Sequence, residues 1–557
     1  MQNIDIVKAD LIAQIDKRLE DRIIEPTNAE LLKKLISNAE STNEAMMIAE
    51  LGTTYKRTGF HFDKRLEKMG IDIKFLKKNT LLSFVSSNND ETDRQTDRQT
   101  DRQTDRQTSN AHKLIIGDNY DALQQLLITH RGLIDTIYID PPYGSDSMGD
   151  FAKTNYTNSI TRDNLLSMLY PRLNIAKQLM SEKGIICVSI DEKNEAYIKC
   201  LLDDIFDESN LLGVISVVNN LKGRSDDEFF ATATEYLLIY AKNRSYAKIN
   251  GFAMTEDQAG EYKFADDKGN YKLVGLKKTG KGCYKEDRPN MYYPIYFDEE
   301  KNSLSLEETP NSVEILPEIN GRDGRWRWGK ETFLEKAATE LVCKKIKTEY
   351  QIYVKMRDTV DGEVRTMKPK TIFIDPKYDS GNGTKCIKEI LGDKVFENPK
   401  PVVYIKDILH ITSSSNSTIL DFFAGSGTTG QAVLELNQED GGNRRFILCT
   451  NNEITNTTHN GIAYDVTSKR LKRVMTGECY DGSSDFEWIK KNEVLGGSLD
   501  VYEIESVNNT EQGDGKSPFD VIDETCYDMP KFASVQEKIA WVCNNFENTQ
   551  KYIKEEE

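Results

Sequence analysis

Asp140-Pro141-Pro142-Tyr143 is the stretch of this chain with the clearest chemical use. It follows an apolar run, Leu133-Ile-Asp-Thr-Ile-Tyr-Ile-Asp140, that reads as a strand. Strand-end loops are where open α/β sheets hold ligands. The Asp140 carboxylate and the Pro141 carbonyl are two hydrogen-bond acceptors, and the prolines hold that carbonyl rigidly. Two acceptors suit an amine whose lone pair is delocalised into a ring, such as the exocyclic amine of adenine. They take both N–H groups and draw the nitrogen toward sp³ geometry. Tyr143 offers a flat face on which a base pulled from a duplex stacks. A plain turn is the competing reading, because Asp-Pro and Pro-Pro punctuate many chains.

A second stretch, Asp421-Phe-Phe-Ala-Gly-Ser-Gly-Thr-Thr-Gly430, also follows a strand pattern, Thr418-Ile-Leu-Asp421, and leads into a helical one, Thr429 to Asn437. Gly425 and Gly427 permit close backbone approach and φ values that other residues resist. The spacing is neither a phosphate loop nor a complete G-x-G-x-x-G. Asp421 and Phe423 before the glycines suit a cationic, phosphate-free ligand such as S-adenosylmethionine, whose ammonium a carboxylate can hold. Glu453, past the next strand, is placed to accept both ribose hydroxyls, with Asn452 as the other choice.

These loops need a sheet to carry them. Strand patterns at Lys113–Gly117, Leu133–Asp140, Gly184–Asp191, Glu235–Lys242, Thr418–Phe423 and Arg444–Thr450 alternate with helical ones, notably Asn164–Glu182 and Glu195–Phe206. The alternation predicts an α/β fold with a doubly wound, mostly parallel sheet. Residues 1–86 read as a helical accessory region, with apolar residues at helical spacing in Leu11–Glu20 and Leu31–Ile36. Between 243 and 378 the rhythm breaks into an inserted region rich in Tyr, Lys, Gly and turn residues. That leaves a catalytic half at 111–242, a cofactor half at 379–480 and a C-terminal region at 481–557 with a possible assembly role.

Residues 87–110 read as a solvated linker holding Thr92 and four copies of Asp-Arg-Gln-Thr, which cannot bury an apolar face. The codons GAC, AGA, CAG and ACA join into repeats of one tetranucleotide. Four residues is the period such a tract imposes, and gain or loss of one unit shifts the frame. Slippage switching is one reading of the repeat; an ordinary low-complexity linker is the other.

Bulk properties narrow the class. The 557 residues call for two to four domains. No run of about 18 apolar residues occurs, and the charged N-terminus lacks a secretory apolar core. The nine cysteines form no C-x-x-C pair, which points away from a zinc site or disulfide framework and toward the cytoplasm. No histidine cluster suggests a metal. The net charge of −18 weighs only lightly against nucleic acid, since a duplex feels the field of one cleft.

Together the two loops resemble the signatures of amino-methyltransferases acting on DNA bases, D-P-P-Y and D-x-F-x-G-S-G-T-T. The catalytic loop precedes the cofactor loop, as in the beta class, with a target-recognition region between. Further matches are Gly117-Asp-Asn-Tyr-Asp-Ala-Leu123, Leu169-Tyr-Pro-Arg-Leu173, Ser189-Ile-Asp191, Arg288-Pro-Asn-Met-Tyr-Tyr-Pro-Ile-Tyr296, Gly324-Arg-Trp-Arg-Trp-Gly329 and Phe396-Glu-Asn-Pro-Lys-Pro401. Over residues 111–505 the chain is similar to modification (Mod) subunits of type III restriction–modification systems, several of which switch by repeat slippage.

The resemblance implies a seven-stranded-type methyltransferase sheet, transfer from S-adenosylmethionine to N6 of adenine in double-stranded DNA, a homodimer, and a separate Res ATPase/endonuclease subunit. It places Asp140, Pro141, Pro142 and Tyr143 at the adenine, and Asp421, Phe423, Gly425, Gly427, Lys400 and Asn119 at the cofactor. Lys400 can equally be a solvated lysine, and Asn119 a helix cap. Trp326 and Trp328, two apart on an expected strand, are core residues or base-stacking platforms. Lys469-Arg-Leu-Lys-Arg473 is a solvated helix face or a phosphate contact. Cytosine-N4 transfer shares this logic, but its motif commonly begins with Ser where Asp140 stands. Cytosine-C5 transfer needs a cysteine nucleophile, usually after proline, and no Pro-Cys occurs. A recognition module inactive without its partner is a further alternative.

Overall fold

The computed structural model describes residues 4–20, 26–51, 73–85, 111–143, 161–224, 227–507 and 518–554. The Asp-Arg-Gln-Thr tract lies outside them. The chain divides into two units, one comprising residues 1–67, 144–170 and 196–201, the other 68–143, 171–195 and 202–557.

In the first unit, helices α1 (Ile4–Glu20), α2 (Pro26–Asn38) and α3 (Thr42–Leu51) close over Ile15, Ala29, Ile36, Ala39, Ala45 and Ala49. Small residues at most of these positions let the helix backbones approach closely. Ile73–Lys78, within the region expected to be helical, is instead a strand (β1). Its Phe75 and Leu76 are both buried, and it pairs antiparallel with a strand near the C-terminus, which satisfies an otherwise open sheet edge.

From residue 111 onward the described chain follows the predicted alternation: β2 (His112–Ile116), α4 (Asn119–His130), β3 (Ile134–Ile139), α5 (Thr161–Leu179), β4 (Met180–Ile190), α6 (Glu195–Phe206), β5 (Leu211–Val218), β6 (Thr234–Ala241), β7 (Ile372–Phe373), α7 (Ser380–Leu391), α8 (Val402–Thr412), β8 (Thr418–Asp421), α9 (Thr428–Asp440), β9 (Arg445–Thr450), α10 (Lys469–Thr476), β10 (Leu499–Val507) and α11 (Val535–Lys554). The central sheet runs β1-β10-β2-β9-β8-β3-β4-β6-β5-β7. From β10 to β4 the strands are parallel; β6 is antiparallel between β4 and β5. The expected seven strands are β2 through β5 in this order, and the sheet is extended to ten by β7 at one edge and by β10 and β1 at the other. Residues 481–557 are therefore partly sheet, because β10 lies between β1 and β2.

The apolar runs of β2, β4, β8 and β9 meet α8, α9 and α10 in one core, through Leu114, Cys187, Ile405, Ile408, Val433, Leu471 and Val474. Strands buried on both faces read as continuous apolar sequence, which is why these were visible. The inserted residues have a second core of Leu276, Tyr293, Ile295, Trp326, Phe333 and Ile352, under a four-stranded sheet of 341–346, 349–357, 269–275 and 264–266.

β8 continues through α9 to β9 on one side, while β3 leads toward β4 on the other. The direction of winding changes between β8 and β3, which is where doubly wound sheets open a crevice at their carboxyl ends. The two loops with chemical potential sit at that point, although they are far apart in the chain.

Candidate active site

Adjacent parallel strands β3 and β8, with Leu420 opposite Ile137, deliver Asp140 and Asp421 to the same sheet edge. Asp140 keeps about a quarter of its side chain open (26%) and lies 3.3 Å from the ammonium of Lys400. The Tyr143 hydroxyl donates to Asp140 Oδ1, and Lys400 Nζ donates to the Tyr143 hydroxyl oxygen at 2.8 Å. Asn194 donates to the Tyr143 carbonyl at 2.8 Å and to Asp191, fixing the loop's far end. Among the described residues nothing donates to the Pro141 carbonyl, which leaves it open as an acceptor.

The structure adds a carboxylate that sequence reasoning missed. Glu235 Oε2 accepts from Lys400 Nζ at 2.6 Å and from Asn219 Nδ2 at 3.2 Å, and its side chain is 7% exposed. An acid opening an otherwise apolar strand was the available signal. It becomes interpretable only once β6 is known to run antiparallel: Tyr236 lies opposite Ile190, so β6 begins at the edge where β4 ends. Burial pushes the Asp140 carboxyl up; the Lys400 cation pulls it back, Glu235 adds to the rise, and the net direction is upward. Burial works against the charge on Lys400, but the two carboxylates outweigh it and raise its proton affinity. Lys400 therefore stands at Asp140 and Tyr143.

The glycine turn is held from several sides. Asp421, 2% exposed, accepts from Phe423 N at 2.9 Å and Thr429 Oγ1 at 2.5 Å, so its carboxylate is used to close the turn. Burial pushes its carboxyl up to about 7. Gly425 and Gly427 have φ of +47° and +76°, in the left-handed region that favours glycine. A Cβ at Gly425 would stand 3.1 Å from Phe396, which leans on the turn. Thr467 donates to the Gly425 carbonyl at 2.5 Å. Arg470 is fully buried beneath it and donates to Ser426 O, Ser426 Oγ, Thr428 Oγ1 and Gln431 Oε1.

This placement corrects the reading of Lys469–Arg473 at Arg470, which is buried under the turn and does not lie on a solvated face. Lys469 pairs with Asp465, Lys472 with Glu478, and Arg473 donates to Ile390 O. The helix cap beside Asn119 is Asp118, whose carboxylate accepts from Tyr120 N. Asn119 instead donates to Phe422 O at 2.9 Å and accepts from the buried Arg172 Nε, tying the end of β2 to the turn after β8. Asn452 accepts from Ala463 N and donates to Asn460 O, so it organises its own loop. Glu453 is half-buried, and no described residue bonds its carboxylate. Trp326 lies outside any strand, is 2% exposed and donates to Tyr293 O at 2.8 Å; Trp328 packs against the same core.

The donor set around the glycine turn tests what it can hold. Asp421 is acidic but closes the turn, Glu453 past β9 is an acid whose carboxylate no described residue bonds, Phe396 and Phe423 are apolar, and the cations Lys400, Arg172 and Arg470 all have protein partners. Such a set fits a cationic ligand carrying a ribose and an aromatic ring, and is unsuited to phosphates.

A doubly wound sheet that brings the Asp140 loop and a glycine turn to one edge defines the chain as an α/β protein of the doubly wound class. More particularly, it belongs to the DNA methylase family, which matches residues 134–460. An uncharacterised conserved family also matches residues 8–136. The type III restriction-modification enzyme EcoPI Mod subunit of Escherichia phage P1 is 31% identical over 66% of this chain and 62% of its own length. The type II methyltransferase M.KpnI of Klebsiella pneumoniae is 34% identical over 70% of this chain and 92% of its own length. The Thermus thermophilus protein TTHA0409, solved with S-adenosyl-L-methionine, covers 70% of this chain and is itself covered to 97%, at 14% identity and a TM-score of 0.32, a likeness too loose to carry the assignment.

Proposed function

We propose that the chain transfers a methyl group from S-adenosylmethionine to N6 of adenine in double-stranded DNA, as the modification and recognition subunit of a type III restriction–modification system. The observation that carries this is the delivery of Asp140 and the glycine turn to one crevice by neighbouring parallel strands. The EcoPI and StyLTI Mod-subunit relatives support the type III assignment; the chain spans 62% and 57% of their lengths.

Bound S-adenosylmethionine supplies an electrophilic methyl on sulfur. Asp421, Gly425, Gly427, Phe423 and Glu453 would hold it, with Phe396 as a wall and Asn119 bracing the turn. Asp140 and the Pro141 carbonyl accept the two N6–H groups, and Tyr143 stacks on the base after its hydroxyl leaves Asp140. On such a donor the nitrogen lone pair would form the new N–C bond while the electron pair of the S–C bond returned to sulfur, and N6 would then give one proton to water. The buried corner excludes water from the amine, and Asp140 keeps it oriented.

The inserted residues 243–378 read the target sequence, residues 1–86 and 481–557 support assembly, and the active form is a homodimer in the cytoplasm. A separate Res subunit supplies ATP hydrolysis and cleavage. No helix among the described residues is long and apolar enough to cross a membrane. The Asp-Arg-Gln-Thr tract makes the gene phase-variable; sequencing it from many single colonies should show tract lengths differing by single tetranucleotides, and a constant tract with mixed codons refutes this.

The main test is single-molecule sequencing of DNA from a methylation-free host expressing the chain, beside an Asp140→Ala twin. N6-methyladenine at one short motif, absent from the twin, is expected. N4-methylcytosine would replace the base assignment. No modification by a folded, cofactor-binding chain would make it a recognition module dependent on its partner.

A further inference from the structure

Two carboxylates, Asp140 and Glu235, share the single ammonium of Lys400 at the catalytic corner. Lys400 has three N–H donors, and all three have partners: Glu235 at 2.6 Å, the Tyr143 hydroxyl at 2.8 Å and Asp140 at 3.3 Å. The shorter ionic contact is to Glu235, which is also the more deeply buried of the two acids. With both carboxylates ionised the triad carries a net charge of −1. Without Glu235 the Asp140–Lys400 pair would be neutral.

We propose that Glu235 is a positioning residue for methyl transfer, which holds Lys400 and offsets its charge so that the corner stays negative where the amine becomes positive. Methylation converts a neutral amine into a cationic one until N6 loses its proton. A fixed negative field at that nitrogen is worth more in the transition state than in the ground state, and so lowers the barrier to transfer. A neutral Asp140–Lys400 pair would still accept an N–H but provide little of that field. Asn219, donating to the same Glu235 oxygen at 3.2 Å, fixes the carboxylate from the β5 side. The other titratable groups that act on this corner are Tyr138, Tyr404 and Asp421. None of them is a cation, so Lys400 is the positive charge that Glu235 has to offset.

This inference rests on the proposed methyl transfer to an exocyclic amine. The test is single-turnover methylation of DNA by the full chain across pH, in the wild type, E235Q, E235D and E235Q/K400Q. E235Q should lose about tenfold to a hundredfold in methyl-transfer rate, with half-saturating S-adenosylmethionine and DNA changed by no more than about twofold. Its acid limb should move to lower pH, because Asp140 then faces Lys400 without Glu235. The double variant removes both opposing charges and restores a net −1, so it should be faster than E235Q. E235D keeps the charge and should stay within about threefold of wild type.

An E235Q with the wild-type rate and acid limb, or a double variant no faster than E235Q, overturns the proposal. Should E235Q melt below the assay temperature, E235D carries the test: a loss as large as that expected of glutamine overturns it, and a near-wild-type rate supports it. A wild-type chain that methylates nothing sinks the proposed function and this inference together, whereas a methylating wild type with an indifferent E235Q sinks the inference alone.

Discussion

Replacing Lys400 by methionine keeps the length of the side chain and removes its charge, leaving Asp140 and Glu235 facing each other without a cation. At 3.3 Å and an effective dielectric of 20, the Lys400–Asp140 attraction is about 5 kcal/mol before solvent is considered. Asp140 is 26% exposed, which screens part of this, and removing the cation moves its titration upward. Burial and Glu235 already push the Asp140 carboxyl above its ordinary value, and Lys400 is the main influence opposing them. A protonated Asp140 turns one of its oxygens into a donor and loses the negative charge that steadies the amine as it becomes cationic. Transfer by Lys400→Met should therefore weaken toward acid pH and recover as pH rises, with its acid limb above that of wild type. Leaving two buried carboxylates without their cation should also lower stability by about 3 to 5 kcal/mol. The assay is single-turnover transfer below the variant's melting point, over the pH range in which both proteins stay folded. An acid limb at or below the wild-type position would refute the assignment of Lys400 as the cation that keeps Asp140 ionised.

Gly425→Ala forces a side chain into a φ of +47° and against Phe396, so it should lower stability by about 1 to 3 kcal/mol and weaken S-adenosylmethionine binding. Paired melts with and without the cofactor measure this, and an unchanged melting point and affinity contradict it. Asp421 titrates near 7 in the folded chain and, in the unfolded chain, at the ordinary value of 3.8. Between those values only the folded chain holds the proton, so this residue's contribution to stability falls as pH rises through that window and is level above it. Asp421→Asn removes the effect and should gain in melting temperature relative to wild type from pH 5 to pH 8; a gap independent of pH refutes the shift. Trp326→Ala should cost about 3 to 5 kcal/mol by opening the core of the inserted region. Lost DNA affinity with unchanged stability would instead make Trp326 a base-stacking platform.

Much of the sheet was legible because its central strands are buried on both faces and so appear as unbroken apolar runs between helical patterns. The two chemical loops were legible because proline and glycine mark turns locally. β1 and β10 were not, since an edge pairing between residues 73–78 and 499–507 has no local signature. Arg470 was misread for a similar reason: five residues rich in Lys and Arg look solvated in one dimension, while the cation's actual surroundings are the underside of a turn 44 residues earlier. For Asn119 the sequence offers both a helix cap and a cofactor role, and only the proximity of the Phe422 carbonyl settles where its side chain goes.

The sequence by itself determined the residue types able to do the chemistry: an acceptor carboxylate before two prolines and a tyrosine, and a glycine turn behind an acid. These depend on local backbone preference and functional-group chemistry, which a short stretch of chain contains in full. Only the tertiary structure decided that Asp140 and Asp421 share an edge, that Lys400 reaches Asp140, and that Glu235 completes the triad. Those facts depend on strand order and direction, and strand pairing joins residues across any distance in the chain. An antiparallel β6 beside β4 places an acid at the corner that holds Asp140; the same strand reversed would have carried it to the opposite edge of the sheet.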